Sequence, residues 1–341
     1  MKKEYVIPIF VPHLGCPNDC PFCNQKKISG QKKNISSKDV KDIIEYYLNN
    51  FKDSNKKIEV AFFGGSFTGI DKNIQEELLK AANYYIKQGK VDSIRISTRP
   101  DYIDQDILDL LKKYNVQTIE LGVQSANDFI LNKCKRGHSF EDVKKASKLI
   151  KKNRFKLGHQ MMVGLPESTR DDEIETARKL IKLHPKMIRI YPVLVIKDTK
   201  LAEDYLNGEY TPNTLEQAVE TCAILLKMFN KKKIDVIRIG LQSTDEICNP
   251  ENEGSQVVGG PYHPAFRQLV ESRICYDDFL KKIHNFNSKV KIIKVRVNGR
   301  LINNFVGHKR ENIKKIKELY DVDMVVERDD SVKKYVVRKV V

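Results

Sequence analysis

His13-Leu-Gly-Cys-Pro-Asn-Asp-Cys-Pro-Phe-Cys-Asn-Gln25 places three cysteines, Cys16, Cys20 and Cys23, within eight residues. The stretch directly follows Tyr5–Val11, an apolar run that reads as a first β-strand. A compact thiolate cluster binds zinc or iron. Structural zinc sites almost always take four protein ligands, usually as two spaced pairs. No second pair exists here: Cys134, Cys222, Cys248 and Cys275 are scattered and lie more than a hundred residues away. Three thiolates on a four-iron cluster leave one iron open to a substrate or cosubstrate. A zinc knuckle and a fortuitous grouping remain the alternatives. Phe22, between the last two cysteines, would shield such a cluster from water or simply pack in the core.

Outward from this loop the chain alternates strand-like and helical runs. Strands are expected at Lys57–Phe63, Ser93–Ser97, Gln117–Gly122, Lys156–Val163 and Met187–Ile196. Helices are expected from Ser37 as N-cap to Leu48, then at Lys72–Lys87, Asp104–Lys113, Ser139–Lys152, Thr169–Leu183 and Thr214–Asn230. Six strand–helix units in a row imply a parallel sheet covered by helices. The fold class is α/β: a partial, TIM-like (β/α)6 barrel of parallel strands. Chemistry in such barrels sits at the C-terminal ends of the strands.

The polar, glycine-rich stretch Thr244–Pro261 reads as a loop, and Ala265–Ile283 as a helix. A strand (Val290–Val297), a helix (Glu311–Tyr320) and two strands (Met324–Glu327, Lys334–Val340) follow. The expected domains are a barrel over 1–243, a connecting loop and helix over 244–284, and a small basic α+β module over 285–341.

The chain has 341 residues, 40% of them hydrophobic, and a formal net charge of +16. From Asn285 onward it carries 15 Lys+Arg against 7 Asp+Glu, a net of +8. Half the excess charge thus lies in the last sixth of the chain, which favours a polyanionic partner such as RNA. No run is apolar and long enough to span a bilayer, and the start reads as a strand rather than a signal peptide. Seven cysteines, an odd and scattered set, fit reduced thiols, so a cytoplasmic protein is expected. The basic run Lys26–Lys33 would guide RNA or only solvate a loop.

Gly64-Gly-Ser-Phe-Thr-Gly69 ends the second strand, where glycines let a ligand approach the backbone. The spacing C-x3-C-x2-C after a first strand resembles the radical S-adenosylmethionine (SAM) superfamily. Further stretches narrow the likeness: Ser97-Thr-Arg-Pro-Asp-Tyr102, Glu120-Leu-Gly-Val-Gln-Ser125, Lys135-Arg-Gly-His138, Met162-Val-Gly-Leu-Pro166 and Tyr191-Pro-Val-Leu-Val-Ile196. In this order they resemble the radical-SAM domain of the elongator catalytic subunit, over about Tyr5 to Arg238. Oxygen-independent coproporphyrinogen oxidase is a more distant likeness.

The resemblance implies a [4Fe–4S] cluster on Cys16, Cys20 and Cys23, with SAM chelated at the free iron. Electron transfer would cleave SAM to a deoxyadenosyl radical, with a flavodoxin or ferredoxin as electron donor. It places Gly64, Gly65 and Ser66 at the methionine amino group, where the family usually has Gly-Gly-Glu. Gln124 and Arg136 would contact SAM, Arg136 as a bidentate carboxylate partner. Ser97 stands where the elongator pattern often has Glu, so it offers one hydrogen bond in place of a carboxylate. Gly164 would let the adenine or ribose lie against the backbone, and Tyr191 would wall the pocket. His138 and His159 are expected to be ordinary core or surface residues.

The elongator subunit continues into an acetyltransferase domain; about a hundred residues follow Arg238 here, and no acyl-coenzyme-A loop appears in them. The chain looks like a short bacterial relative without that domain. Gly259–Arg273 belongs to this short form, either as a pocket-closing segment or as a loop-to-helix join. Leu301–Ile316 resembles the loop and helix of the KH fold, which clamps nucleotides through Gly-x-x-Gly. Here the loop is Gly307-His-Lys-Arg310, with Arg310 in place of the second glycine. Gly307, Lys309 and Arg310 are candidate RNA contacts, and Phe305 reads as core; a packing module that binds nothing is the alternative.

The favoured function is radical modification of an RNA base, most directly in tRNA. A small-molecule substrate, a non-catalytic cluster- or haem-binding carrier and a zinc-stabilised RNA-binding module are the rivals.

Overall fold

The computed structural model describes residues 3–11, 20–24, 35–52, 56–284 and 291–340. Cys16 and the Lys26–Lys33 run lie outside the described residues. The chain begins β1 (Lys3–Val11), α1 (Ser37–Asn50), β2 (Lys56–Gly64), α2 (Lys72–Lys87), β3 (Ser93–Thr98) and α3 (Gln105–Lys113). It continues with β4 (Val116–Gln124), α4 (Asp128–Lys133), α5 (Phe140–Lys152), β5 (Lys156–Val163), α6 (Arg170–Lys182) and β6 (Met187–Pro192). Then come β7 (Val195–Ile196), α7 (Lys200–Leu206), α8 (Leu215–Lys231), β8 (Asp235–Ile239), β9 (Val257–Gly259) and α9 (Phe266–Ile283).

The main sheet runs β1-β2-β3-β4-β5-β6-β8 and is parallel throughout. It curls into a half-barrel. Seven strands replace the six expected, because Asp235–Ile239 extends the sheet beyond β6. The expected strand Met187–Ile196 is two: β6 stays in the main sheet, and Val195–Ile196 turns away to pair antiparallel with β9. Helices α1 to α8 start where the sequence offers a side-chain cap. Ser139, Thr169 and Thr214 each accept from the backbone N–H three residues on, and Asp142, Asp172 and Gln217 reciprocate. The first helix is capped by Ser36 with Asp39, one residue before the expected Ser37.

The strands sort their side chains by parity. Ile94, Ile96, Ile119, Leu121, Leu157 and Ile188 face the helices and form the core. Arg95, Ser97, Glu120, Gln160 and Arg189 lie on the other face. Parallel sheets are usually apolar on both faces. A polar inner face marks a curled sheet that encloses a site.

The last elements are β10 (Ile292–Val297), α10 (Ile302–Val306), α11 (Glu311–Tyr320), β11 (Asp323–Arg328) and β12 (Tyr335–Val340). β10 is central, parallel to β11 and antiparallel to β12. Gly307–Arg310 joins α10 to α11. Helix α9 bridges two cores: Phe266 and Val270 pack with the half-barrel, whereas Phe279 and Ile283 pack with Ile293, Val295 and Phe305. No helix of the described residues is long and apolar enough to cross a membrane.

Candidate functional site

The site forms where β1–β6 end. β1 leads toward the cysteine motif, and Gly64 closes β2 beside it. Gly64 has φ +100°, and a Cβ there would lie 2.7 Å from the Val11 carbonyl oxygen. Its neighbour Gly65 donates its N–H to the same oxygen at 3.2 Å. Glycine is thus required at 64 by backbone approach to β1, in a conformation that other residues resist. Ser66 is buried and precedes the short turn Phe67–Gly69.

Cys20 is buried and Cys23 partly so. The Cys23 N–H donates to the Cys20 carbonyl at 3.0 Å, closing a turn. The Leu201 N–H donates to the Pro21 carbonyl at 2.8 Å, and the Asn24 amide to the Lys197 carbonyl at 3.3 Å. These bonds anchor the motif to the start of α7. Phe22 packs with Cys20, Ile130, Cys134, Leu165 and Val193. Cys134, one of the scattered cysteines, therefore lies in the apolar wall around Cys20 and Phe22. Burial, and then the neighbouring Cys20, push its thiol up to about 12.

Arg136 follows the end of α4. Its Nη1 donates toward Cys20 Sγ at 3.4 Å, and its Nη2 to the Gly122 carbonyl at 2.9 Å. Its Nε is buried with no hydrogen-bond partner among the described residues, and Gln124 Oε1 is in the same condition. Gln124 sits at an irregularity in the β4–β5 register with φ +67°. Gly122 keeps the space between them open: a Cβ there would lie 3.1 Å from Gln124 Nε2 and 3.5 Å from Arg136 Nη2. An unpaired carboxamide oxygen and guanidinium N–H beside a cysteine fit a ligand carrying both ammonium and carboxylate groups. His138 stands behind them, its Nε2 3.3 Å from the Val123 carbonyl. Burial first, then Arg136 and Arg99, lower its pKa to about 4, so it is neutral. His159 is a core residue on Ser147 Oγ at 2.9 Å, pushed by burial down to about 3.

Gly164 ends β5 with φ +85°. Its N–H donates to Glu173 Oε1 at 2.5 Å, and its carbonyl accepts from Tyr210 Oη at 2.6 Å. Both polar groups of this residue are therefore engaged. A Cβ at 164 would lie 2.9 Å from Asn213 Nδ2. Glu173 is buried, and burial raises its carboxyl to about 7 against the opposing Gly164 bond.

Below the strand ends lies a charged lattice. Arg95 Nη1 donates to Glu120 Oε1 at 2.6 Å, and Arg189 Nε to Glu120 Oε2 at 2.6 Å. Arg95 Nη2 also pairs with Glu59 Oε2 at 2.5 Å. Gln160 Nε2 donates to Glu120 Oε2 at 3.0 Å and to Ser97 Oγ at 3.2 Å, so Ser97 is tied into the floor. Burial alone would raise the Glu120 carboxyl; Arg189 and then Arg95 overcome this and hold it below the usual range. Arg189 also lies over the Phe63 ring at 4.9 Å. Tyr191, raised by burial, faces Arg189 and Arg238.

Arg136 is brought to Cys20 and, across Gly122, to Gln124, while Gly64, Gly65, Ser66, Ser97 and Gly164 lie at or just past the ends of β2, β3 and β5. Gly307, Lys309 and Arg310 lie in the small module. The Glu120 lattice and the Glu173 clamp went unread in sequence. A single charge set between isoleucines in Ser93-Ile-Arg-Ile-Ser97 and Met187-Ile-Arg-Ile-Tyr191, and next to Ile119 in Thr118-Ile-Glu120, was a signal for the lattice.

Comparison with known proteins adds family relations. The radical SAM superfamily profile matches residues 10–180, and the radical SAM C-terminal domain profile matches residues 185–275. A tRNA uridine(34) acetyltransferase of Methanocaldococcus infernus is 33% identical over 188 residues, 48% of this chain and 34% of the relative. An uncharacterised protein of Methanocaldococcus jannaschii is 32% identical over 219 residues, 61% of this chain and 67% of the relative. The chain thus spans about a third of the acetyltransferase it matches. Among solved structures, archaeal Elp3 of Methanocaldococcus infernus superposes with a TM-score of 0.60 at 24% identity, covering 83% of this chain and 64% of that one. That likeness concerns the fold.

Proposed function

The chain belongs to the radical SAM superfamily, and from that premise we propose that it modifies a base of an RNA, most directly of a tRNA. As a member it is an enzyme that uses a [4Fe–4S] cluster and SAM. When bound, these supply one-electron cleavage of SAM to a deoxyadenosyl radical.

Cys16, Cys20 and Cys23 would hold the cluster. Arg136 donates to the Cys20 sulfur, and such hydrogen bonds tune the potential of a cluster. Gln124 Oε1 and Arg136 Nε would take the ammonium and carboxylate of the cosubstrate. Gly64, Gly65 and Ser66 would border the same space, and Ser97 would form part of its floor. Gly164, fixed from both sides by Glu173 and Tyr210, would form a rigid rest for the adenosine part. The apolar wall of Phe22, Leu165 and Val193 would exclude water.

The observation that carries the radical reading is the pair of unpaired buried atoms on Gln124 and Arg136 beside Cys20. Support for RNA comes from the likeness to tRNA uridine(34) acetyltransferases and from the excess charge of the small module. There Lys309 and Arg310 are exposed, and no ion pair holds either among the described residues. They would meet phosphates, with a flavodoxin or ferredoxin as electron donor.

The test is anaerobic reconstitution followed by reductant and SAM. Deoxyadenosine from the wild type and none from the Cys16→Ala, Cys20→Ala, Cys23→Ala variant is the expected result. Zinc in place of iron, or a cluster that cleaves nothing with or without RNA, would overturn the reading.

A further inference from the structure

The segment after β9 lies over two strand ends of the half-barrel. Gly260, with φ +96°, comes so close to the β6 exit that a Cβ would lie 2.9 Å from the Val193 carbonyl oxygen. Gly240, with φ +86° after β8, leaves no room for a Cβ beyond 3.0 Å from that of Phe266. Pro192, Gly240, Pro261, Tyr262 and His263 line a shallow depression between these ends. Tyr262 and His263 are half-buried and retain open surface. The Tyr262 hydroxyl is 2.9 Å from Ser243 Oγ, and His263 Nδ1 accepts from the Ala265 N–H at 3.0 Å, so both rings are held.

The loop of the small module reaches this same place. The rings of His263 and His308 meet edge to face at 5.1 Å. Asn312 fixes the loop to α9: its amide donates to Ser272 Oγ at 3.0 Å and to the Phe305 carbonyl at 3.0 Å. Gly307 fits against Asn312, 3.0 Å from a Cβ it lacks. The acids nearby are already engaged. Glu271 accepts from Arg267 and Asn304, and Glu311 from Lys315. Lys309 and Arg310 are exposed, with no ion pair among the described residues, on the loop whose His308 ring meets His263.

We infer that Pro261–His263 and Gly307–Arg310 form one continuous surface for single-stranded RNA. Bases stack on the Tyr262 and His263 rings beside the strand ends, and phosphates lie on Lys309 and Arg310. Aromatic rings give sequence-tolerant stacking, and basic side chains track the backbone. The inference rests on the RNA reading above and adds a base platform to it. The join between barrel and module thereby becomes part of the substrate path.

The experiment measures binding of a labelled RNA stem-loop to the full chain across a salt series. Tyr262→Leu and His263→Leu are each expected to weaken binding about tenfold with an unchanged salt slope, as loss of stacking requires. Tyr262→Phe is expected to bind like the wild type. Lys309→Ala with Arg310→Ala is expected to lower the slope by about one to two. Wild-type affinity in both Leu variants, alongside a reduced slope in the Lys309/Arg310 variant, would overturn the platform and leave the RNA reading standing. Equal losses in Tyr262→Phe and Tyr262→Leu would overturn it too, since the Ser243 bond and not the ring would be at work. No salt-dependent binding by the wild type would remove the RNA reading itself.

Discussion

The guanidinium of Arg136 reaches the sulfur of Cys20, with Nη1 3.4 Å from Sγ. This donor lies 116 residues along the chain from its acceptor and is buried with it. A hydrogen bond and a positive charge at a cluster sulfur favour the reduced cluster, which carries one more negative charge. Arg136→Gln is therefore expected to lower the midpoint potential of the reconstituted cluster. The shift is on the order of 60 mV for each 1.4 kcal/mol lost in a one-electron couple. A redox titration followed by electron paramagnetic resonance reads it. An unchanged potential would mean that the contact does not persist in the loaded protein.

Glu120 should be the least replaceable carboxylate of the barrel floor. Its side chain is 1% exposed and accepts from both Arg95 and Arg189. Glu120→Gln leaves two buried guanidinium groups without their shared counter-charge, at a cost of about 3–5 kcal/mol. Urea unfolding of the apo protein measures this. A loss below about 1 kcal/mol would show that water or a shift of Glu59 compensates.

Glu173 predicts a pH signature. Its carboxyl is raised from 4.5 to about 7 in the folded chain. The folded state then binds more protons than the unfolded state between these values. Its contribution to stability is therefore full below pH 4.5 and is lost as pH rises through 7, by about 3 kcal/mol in all. Glu173→Gln is expected to abolish that part of the pH dependence while keeping an acceptor for the Gly164 N–H. Parallel stability–pH curves for variant and wild type would contradict it.

Gly64→Ala should couple strand geometry to cluster assembly. The new Cβ would meet the Val11 backbone oxygen at 2.7 Å, at φ +100°. The left-handed conformation alone costs about 1–2 kcal/mol, and the contact cannot be relieved by a side-chain rotation. We expect lower stability and a sub-stoichiometric iron content after reconstitution. Gly208→Ala is the control: it has positive φ with nothing within 4 Å of the added carbon, so it should lose stability but keep its iron.

Much of this molecule was written locally. Alternating apolar runs and helix caps gave the strands and the long helices through Ile190, because parity and periodicity act over a few residues. The cysteine spacing gave the cofactor class, and the charge of the tail its candidate partner. Several short elements were missed because tertiary neighbours decide them: α4, α7, α10, the strand Asp235–Ile239, which gains its pairing from β6, and β9, which lies inside the stretch Thr244–Pro261 expected to be a loop and pairs with Val195–Ile196.

The site divides in the same way. Cys20 and Gly64 were singled out by cysteine spacing and by a glycine at a strand end, and Gln124, Arg136 and Gly164 by the family resemblance. That Arg136 meets Cys20, that Glu173 and Tyr210 hold the Gly164 peptide, and that His308 touches His263 were not legible. Those partners lie from 9 to 116 residues apart in the chain. Local sequence sets backbone conformation and the face a side chain takes. Which polar groups meet in a buried space follows from how the sheet curls and where α4, α6 and α9 pack, since desolvation requires each buried group to find a partner wherever the fold places one.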